Sequence, residues 1–153
     1  MSRSLCCIKY VFYLLCVALL LFNRPAQAAS PPIVAAGAFH TMAVDSHGTV
    51  WAWGRNEDAQ LGFGYRTTID QLTPVQVTGL SNIVAVAAGT YHTMAVDSHG
   101  TVWAWGRNGD GQLGDGTTMD RVNPMPIASL SNIVAVAAGA FHTMAVDSHG
   151  TVW

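Results

Sequence analysis

The chain has 153 residues, of which 50% are apolar and only 10% charged. Seven basic and nine acidic residues leave a net charge of −2, and Lys and Arg form no cluster of the kind that phosphate backbones require. Nucleic-acid binding is therefore not expected, and the length fits one domain.

The first element in chain order is a leader. Arg3 and Lys9 precede an unbroken apolar run of twelve residues, Val11 to Phe22. A membrane-spanning helix needs roughly 20 such residues, so the run is short for an anchor. Arg24, Pro25 and a small-x-small exit at Ala26-Gln27-Ala28 follow. Basic start, short apolar core and small-residue exit describe a secretory signal peptide over residues 1–28, cut between Ala28 and Ala29. The alternative is an uncleaved anchor. Export to the extracellular space or periplasm is expected, with no membrane contact after cleavage. Cys6, Cys7 and Cys16 would leave with the leader, so no disulfide or thiol chemistry is expected in residues 29–153. That segment holds four arginines against nine acidic residues, a balance of −5.

Beyond the leader the chain repeats. Asn82 to Trp103 returns at Asn132 to Trp153 with two changes, Thr90 to Ala140 and Tyr91 to Phe141. His40, His92 and His142 mark the register, in steps of 52 and 50 residues. The units run over about 33–80, 81–130 and 131–153. Each reads as short strands. Asn82 to Ala88 is rich in Val and Ala. His92 to Asp97 alternates, with His92, Met94 and Val96 on one face and Thr93, Ala95 and Asp97 on the other. Thr101 to Trp105 alternates again, with Trp103 and Trp105 on one face. Asp97-Ser98-His99-Gly100 makes a hairpin turn between them. A fourth strand is expected after a proline, at Pro74 to Val77 and Pro124 to Ile127, on a sheet edge. Four strands in about 50 residues, repeated, make one blade of an all-β propeller per unit. The Trp51/Trp53 and Trp103/Trp105 pairs are expected to fill the wedge between blades.

Each period carries Ala-Gly-x-aromatic-His, with Gly37 and His40, Gly89 and His92, Gly139 and His142. An Asp…Gly turn and Trp-x-Trp-Gly-Arg-Asn follow, with Gly54 and Gly106 at its centre. Gln-Leu-Gly then comes at Gln60 to Gly62 and at Gln112 to Gly114, before a proline. This series resembles the RCC1 (regulator of chromosome condensation) repeat. The paired glycines of kelch repeats are absent, as is a Trp-Asp blade end. The resemblance implies a seven-bladed ring, of which residues 33–153 would supply about a third at this period. The sequence is thus read as a piece of a longer ring, or as a unit closed by other copies, which would supply the further blades.

No catalytic, cofactor or metal site is expected. His40, His92 and His142 recur once per blade, so neighbours cannot share a metal, whose ligands lie about 2 Å from one centre. Their expected role is structural, hydrogen-bonded to a neighbouring loop. His47, His99 and His149 fall in the hairpin turns, facing solvent. Asn108 to Thr117 has the look of a calcium loop, but Asn108 stands where the first Asp belongs and the closing Glu is missing. No nucleophile motif or phosphate loop occurs, and near-identical copies lack the asymmetry that catalysis needs. The segments Asn56 to Leu72 and Asn108 to Val122 do differ, and specificity is expected there. Their candidate partner-binding residues are Asn56, Asp58, Arg66, Asn108, Asp110, Asp115 and Arg121. The expected function is binding of a protein or extracellular polymer through these loops. Two alternatives stay open: guanine-nucleotide exchange, as the resemblance implies, and an enzyme with its site in further blades.

Overall fold

A computed structural model describes residues 33–153; the expected leader and its cleavage site lie outside the described residues. Among the described residues every regular element is a strand. The first sheet joins β1 (Ile33–Ala36), β2 (His40–Val44), β3 (Val50–Asn56) and β4 (Thr67–Gln76) in that spatial order. The second repeats it with β5 (Ile83–Ala88), β6 (His92–Asp97), β7 (Val102–Gly106) and β8 (Arg121–Pro126). β9 (Ile133–Ala138) and β10 (Thr143–Asp147) pair as the start of a third. All neighbours are antiparallel.

The hairpins follow from the repeated Asp-Ser-His-Gly. Asp45 Oδ1 accepts from the backbone N–H of His47 and Thr49 at 2.8 and 3.0 Å, and Gly48 takes a φ of 77°. The first tryptophan of each pair locks the same turn. Trp51, Trp103 and Trp153 donate Nε1–H to Oδ2 of Asp45, Asp97 and Asp147 at 3.3, 3.2 and 3.4 Å.

The fourth strand begins earlier than the sequence suggested. It starts at Thr67 and Arg121, and Pro74 and Pro124 lie inside it rather than before it. The register explains why they are tolerated. Ala52 faces Val75 while Gly54 faces Gln71, and Ala104 faces Met125 while Gly106 faces Arg121. Each proline therefore sits in a bulge of an outer edge strand, where a missing ladder donor costs little.

The core consists of two layers, one at each junction between sheets. The first holds Met42, Val44, Val50, Ala52, Leu61, Ala95 and Trp105; the second holds Met94, Val96, Val102, Ala104, Leu113, Ile133 and Ala145. The alternation in β6 thus sends Ala95 towards the first sheet and Met94 and Val96 towards the third unit. With both faces covered, His92 to Val96 is buried throughout. The tryptophans divide their work. Trp105 is completely buried in the first layer, seated against Gly62, where an added Cβ would stand 2.8 Å from its Nε1. Trp103 packs against the same layer but stays half-buried, so both members of this pair enter the junction, Trp105 completely and Trp103 in part; Trp51 and Trp53 are likewise half-buried.

Candidate interaction face

Antiparallel order places the β1–β2 turn and the β3–β4 loop at one end of each sheet. The histidines stand at that end and stitch the blades together. His40 Nε2 lies 2.9 Å from Thr93 Oγ1, and Thr93 donates to the Gln60 carbonyl at 2.8 Å. Because the threonine proton is committed to Gln60, Nε2 must be the protonated nitrogen of His40. The next junction copies the chain of bonds: His92 Nε2 to Thr143 Oγ1 at 3.0 Å, and Thr143 to the Gln112 carbonyl at 2.8 Å. Trp105 Nε1 donates to the same Gln60 carbonyl at 2.9 Å.

Nδ1 of His40 and of His92 is buried without a hydrogen-bond partner. Gly89 closes over the His92 ring so tightly that a Cβ would meet Cε1 at 2.3 Å. Burial, with repulsion from the next histidine in the row, lowers both imidazoles to about 4. They are neutral near pH 7. No group of three His, Cys, Asp or Glu among the described residues could hold a metal ion.

The seven expected loop residues separate into two classes. Asn56 and Asn108 are fully buried, which corrects their placement on a partner-facing surface. Each carboxamide clamps its loop from inside. Asn56 Oδ1 accepts from Leu61 N at 3.1 Å and its Nδ2 donates to Tyr65 O; Asn108 Oδ1 accepts from Leu113 N at 3.0 Å and its Nδ2 reaches Asp115 Oδ1 and Thr117 O. The other five lie further out. Arg121 holds Asp115 through Nε and Nη2 at 2.7 and 2.6 Å. Partial burial raises the Asp115 carboxyl, but bonds from Thr117, Arg121 and Asn108 outweigh it and bring it to about 2. The calcium-like loop is therefore organised around an arginine. Arg66 reaches Asp120 of the next blade. Asp58 is half-buried and Asp110 exposed.

The same end carries an arrangement to which the repeat pattern alone gave no role. Phe39, Tyr91 and Phe141 form a row with ring centroids 5.9 and 6.2 Å apart. The Arg55 guanidinium stands over Phe39 and Tyr91, at 5.4 and 5.8 Å, and Arg107 over Tyr91 and Phe141, at 5.5 and 5.9 Å. The pairing that builds it was present in the motifs: the aromatic residue just precedes the repeated His, and the arginine just follows Trp-Gly. The register joins them through Arg55 N to Phe39 O and Arg107 N to Tyr91 O, both 2.9 Å.

Comparison with known proteins agrees with this geometry. The model of the regulator of chromosome condensation (RCC1) repeat matches residues 47–96 and 99–146, and a second RCC1 repeat model matches 33–60 and 83–112. The chain belongs to the RCC1 repeat family. It is 39% identical over 79 residues to the zebrafish (Danio rerio) protein RCC2 homolog, covering 52% of this chain and 16% of that protein. It is 42% identical over 85 residues to the ultraviolet-B receptor UVR8 of Arabidopsis thaliana, covering 54% and 19%. Thus the chain spans less than a fifth of the length of these relatives. Among solved structures, human WBSCR16 superposes with a TM-score of 0.71 at 21% identity, over 85% of this chain and 34% of that one. Prp20p of Saccharomyces cerevisiae gives 0.71 at 22%, over 78% and 32%. At these identities the likeness establishes the fold, a β-propeller represented here by partial blades.

Proposed function

We propose that this member of the RCC1 repeat family is an exported protein-binding module that presents the loop end of its blades to a partner, and that it carries out no reaction of its own. One observation carries the reading. The first three strands of each sheet repeat nearly residue for residue, whereas the loops between β3 and β4 and between β7 and β8 diverge in their outer halves, at the end where the aromatic row lies. Structural demands would keep such loops alike; recognition is a reason for them to differ. Two family structures support a protein as the partner: Prp20p was characterised for its binding to Gsp1p and histones, and yeast RCC1 (Prp20) was crystallised with Kap60. Fold analogy does not carry those partners over. Export rests on the leader-like residues 1–28.

The test is an exchange. Replacing residues 56–72 by the sequence of 108–122 should abolish capture of a partner from the surrounding medium while leaving the fold intact; unchanged capture contradicts the reading. Export is checked by the mass of the released chain, expected to begin at Ala29. Recovery of the unprocessed chain in the cytoplasm would contradict it.

A further inference from the structure

We infer that the aromatic–arginine row is a docking strip for an extended acidic segment of a partner protein, with Arg107 as its principal carboxylate fork. This rests on the protein-binding reading above and names the chemistry of the partner at that site. Three observations carry it. First, the strip can be reached: Phe39 and Phe141 at its ends are each 50% exposed, Tyr91 between them is half-buried, and the Arg107 side chain is 40% exposed. Second, the two arginines differ in what they have left to donate. Arg55 is already held by Glu57 through Nη2. Arg107 is fixed over two rings, yet Asp110 stands 3.7 Å from its Nη2, and among the described contacts its guanidinium donates no hydrogen bond. A guanidinium that is positioned by ring faces and keeps free in-plane donors suits bidentate capture of a carboxylate. Third, the pitch fits. Successive rings repeat at 5.9 and 6.2 Å, while alternate residues of an extended strand repeat at about 6.4–6.8 Å. Carboxylates on every second residue would keep step with the arginines, each of which stands over two successive rings. An anionic nucleic-acid backbone is the poorer match, because Arg55, Arg66, Arg107 and Arg121 are the only Lys or Arg among the described residues and do not supply the run of basic contacts that a phosphate backbone needs.

The probe is a fluorescein-labelled peptide of about eight residues alternating Glu and Thr, with a twin in which Gln replaces each Glu, titrated by anisotropy against the full chain. The acidic peptide should bind and the Gln twin should not. Arg107→Gln should weaken binding about tenfold, the scale of losing a charge-assisted bond, and Arg107→Lys should recover only part, since an ammonium lacks the fork. Arg55→Gln should matter less. Asp110→Asn should strengthen binding, a gain that misfolding cannot imitate. Equal binding of the two peptides, no effect of Arg107→Gln in a chain whose melting is unchanged, or tighter binding of single-stranded DNA would each overturn the inference. If the peptide fails while exchange of residues 56–72 still abolishes partner capture, the strip is refuted and the protein-binding reading stands. If both fail, the reading itself is at fault.

Discussion

The loops that follow β3 and β7 start from the same residues and end differently. Asn56 and Asn108, Gln60 and Gln112, Leu61 and Leu113 occupy matching places, with the same carboxamide clamp. The glutamine side chains repeat as well: Oε1 of Gln60 accepts from Asp58 N and Oε1 of Gln112 from Asp110 N, both at 2.9 Å. Past that point the paths part. From Gly62 to Gln71, which faces Gly54, the first loop is two residues longer than from Gly114 to Arg121, which faces Gly106. The extra length lets the chain pair Thr67 with Asn56, which extends β4 to ten residues against six in β8. It also reaches the next blade, through Gly64 N to Val122 O at 3.0 Å and Arg66 to Asp120. The shorter loop closes on itself through Asp115 and Arg121. The inner half of the loop is thus part of the blade, and the outer half is free to change.

The largest effect that should be common to both junctions is one of pH. Unfolded histidines bind protons below about pH 6.5, whereas buried His40 and His92 stay neutral down to about pH 4. The unfolded state therefore holds more protons in that window, and stability falls as pH drops through it, by at most about 3 kcal/mol per histidine. Urea midpoints at pH 7, 5.5 and 4 check this, and His40→Gln should remove about half of the slope. Asp115 acts lower. Its depressed carboxyl stabilises the fold above its ordinary value of 3.8 and loses that contribution as pH falls towards about 2. Next in size, Trp105→Ala should cost about 3–5 kcal/mol, the usual range for emptying an aromatic site in a core. Asn56→Ala and Asn108→Ala should each cost about 1–3 kcal/mol by stranding Leu61 N or Leu113 N. Equal losses would support a shared inner skeleton; a loss at only one would break the comparison. Smallest are the outer ties. Arg121→Gln, at a pair whose Asp115 side chain is 10% exposed, should cost about 1–2 kcal/mol. Arg66→Gln, at a pair exposed to 46% and 26%, should cost under about 1 kcal/mol.

Much of this is legible in the sequence. Period-2 alternation from His92 to Asp97 gave the strand limits and the two faces, because this strand lies in the sheet that packs against the first unit on one side and the third on the other. Asp-Ser-His-Gly gave the turns. The start of the fourth strand was not legible, since a bulge lets four residues oppose two and hides the period around Pro74 and Pro124. Nor was the difference in depth between Trp103 and Trp105: alternation rightly puts both on one face, but Trp103 also donates to Asp97 and stays half-buried while Trp105 is buried completely. Asn56 and Asn108 read as surface residues, because polar loop residues usually are. Their burial depends on backbone donors and acceptors that come together only when the loop closes. The aromatic–arginine row was hidden because its members lie far apart in sequence and meet only across blades.

Native-state amide exchange at Leu61 and Leu113 tests the shared inner skeleton most directly. Both N–H groups are donated to a buried asparagine, so both should exchange as slowly as amides in the middle of β2 and β6 and match each other, despite the divergent loops beyond them. Exchange at either site as fast as at exposed Thr68 or Gly109 would contradict the division into a fixed inner half and a variable outer one.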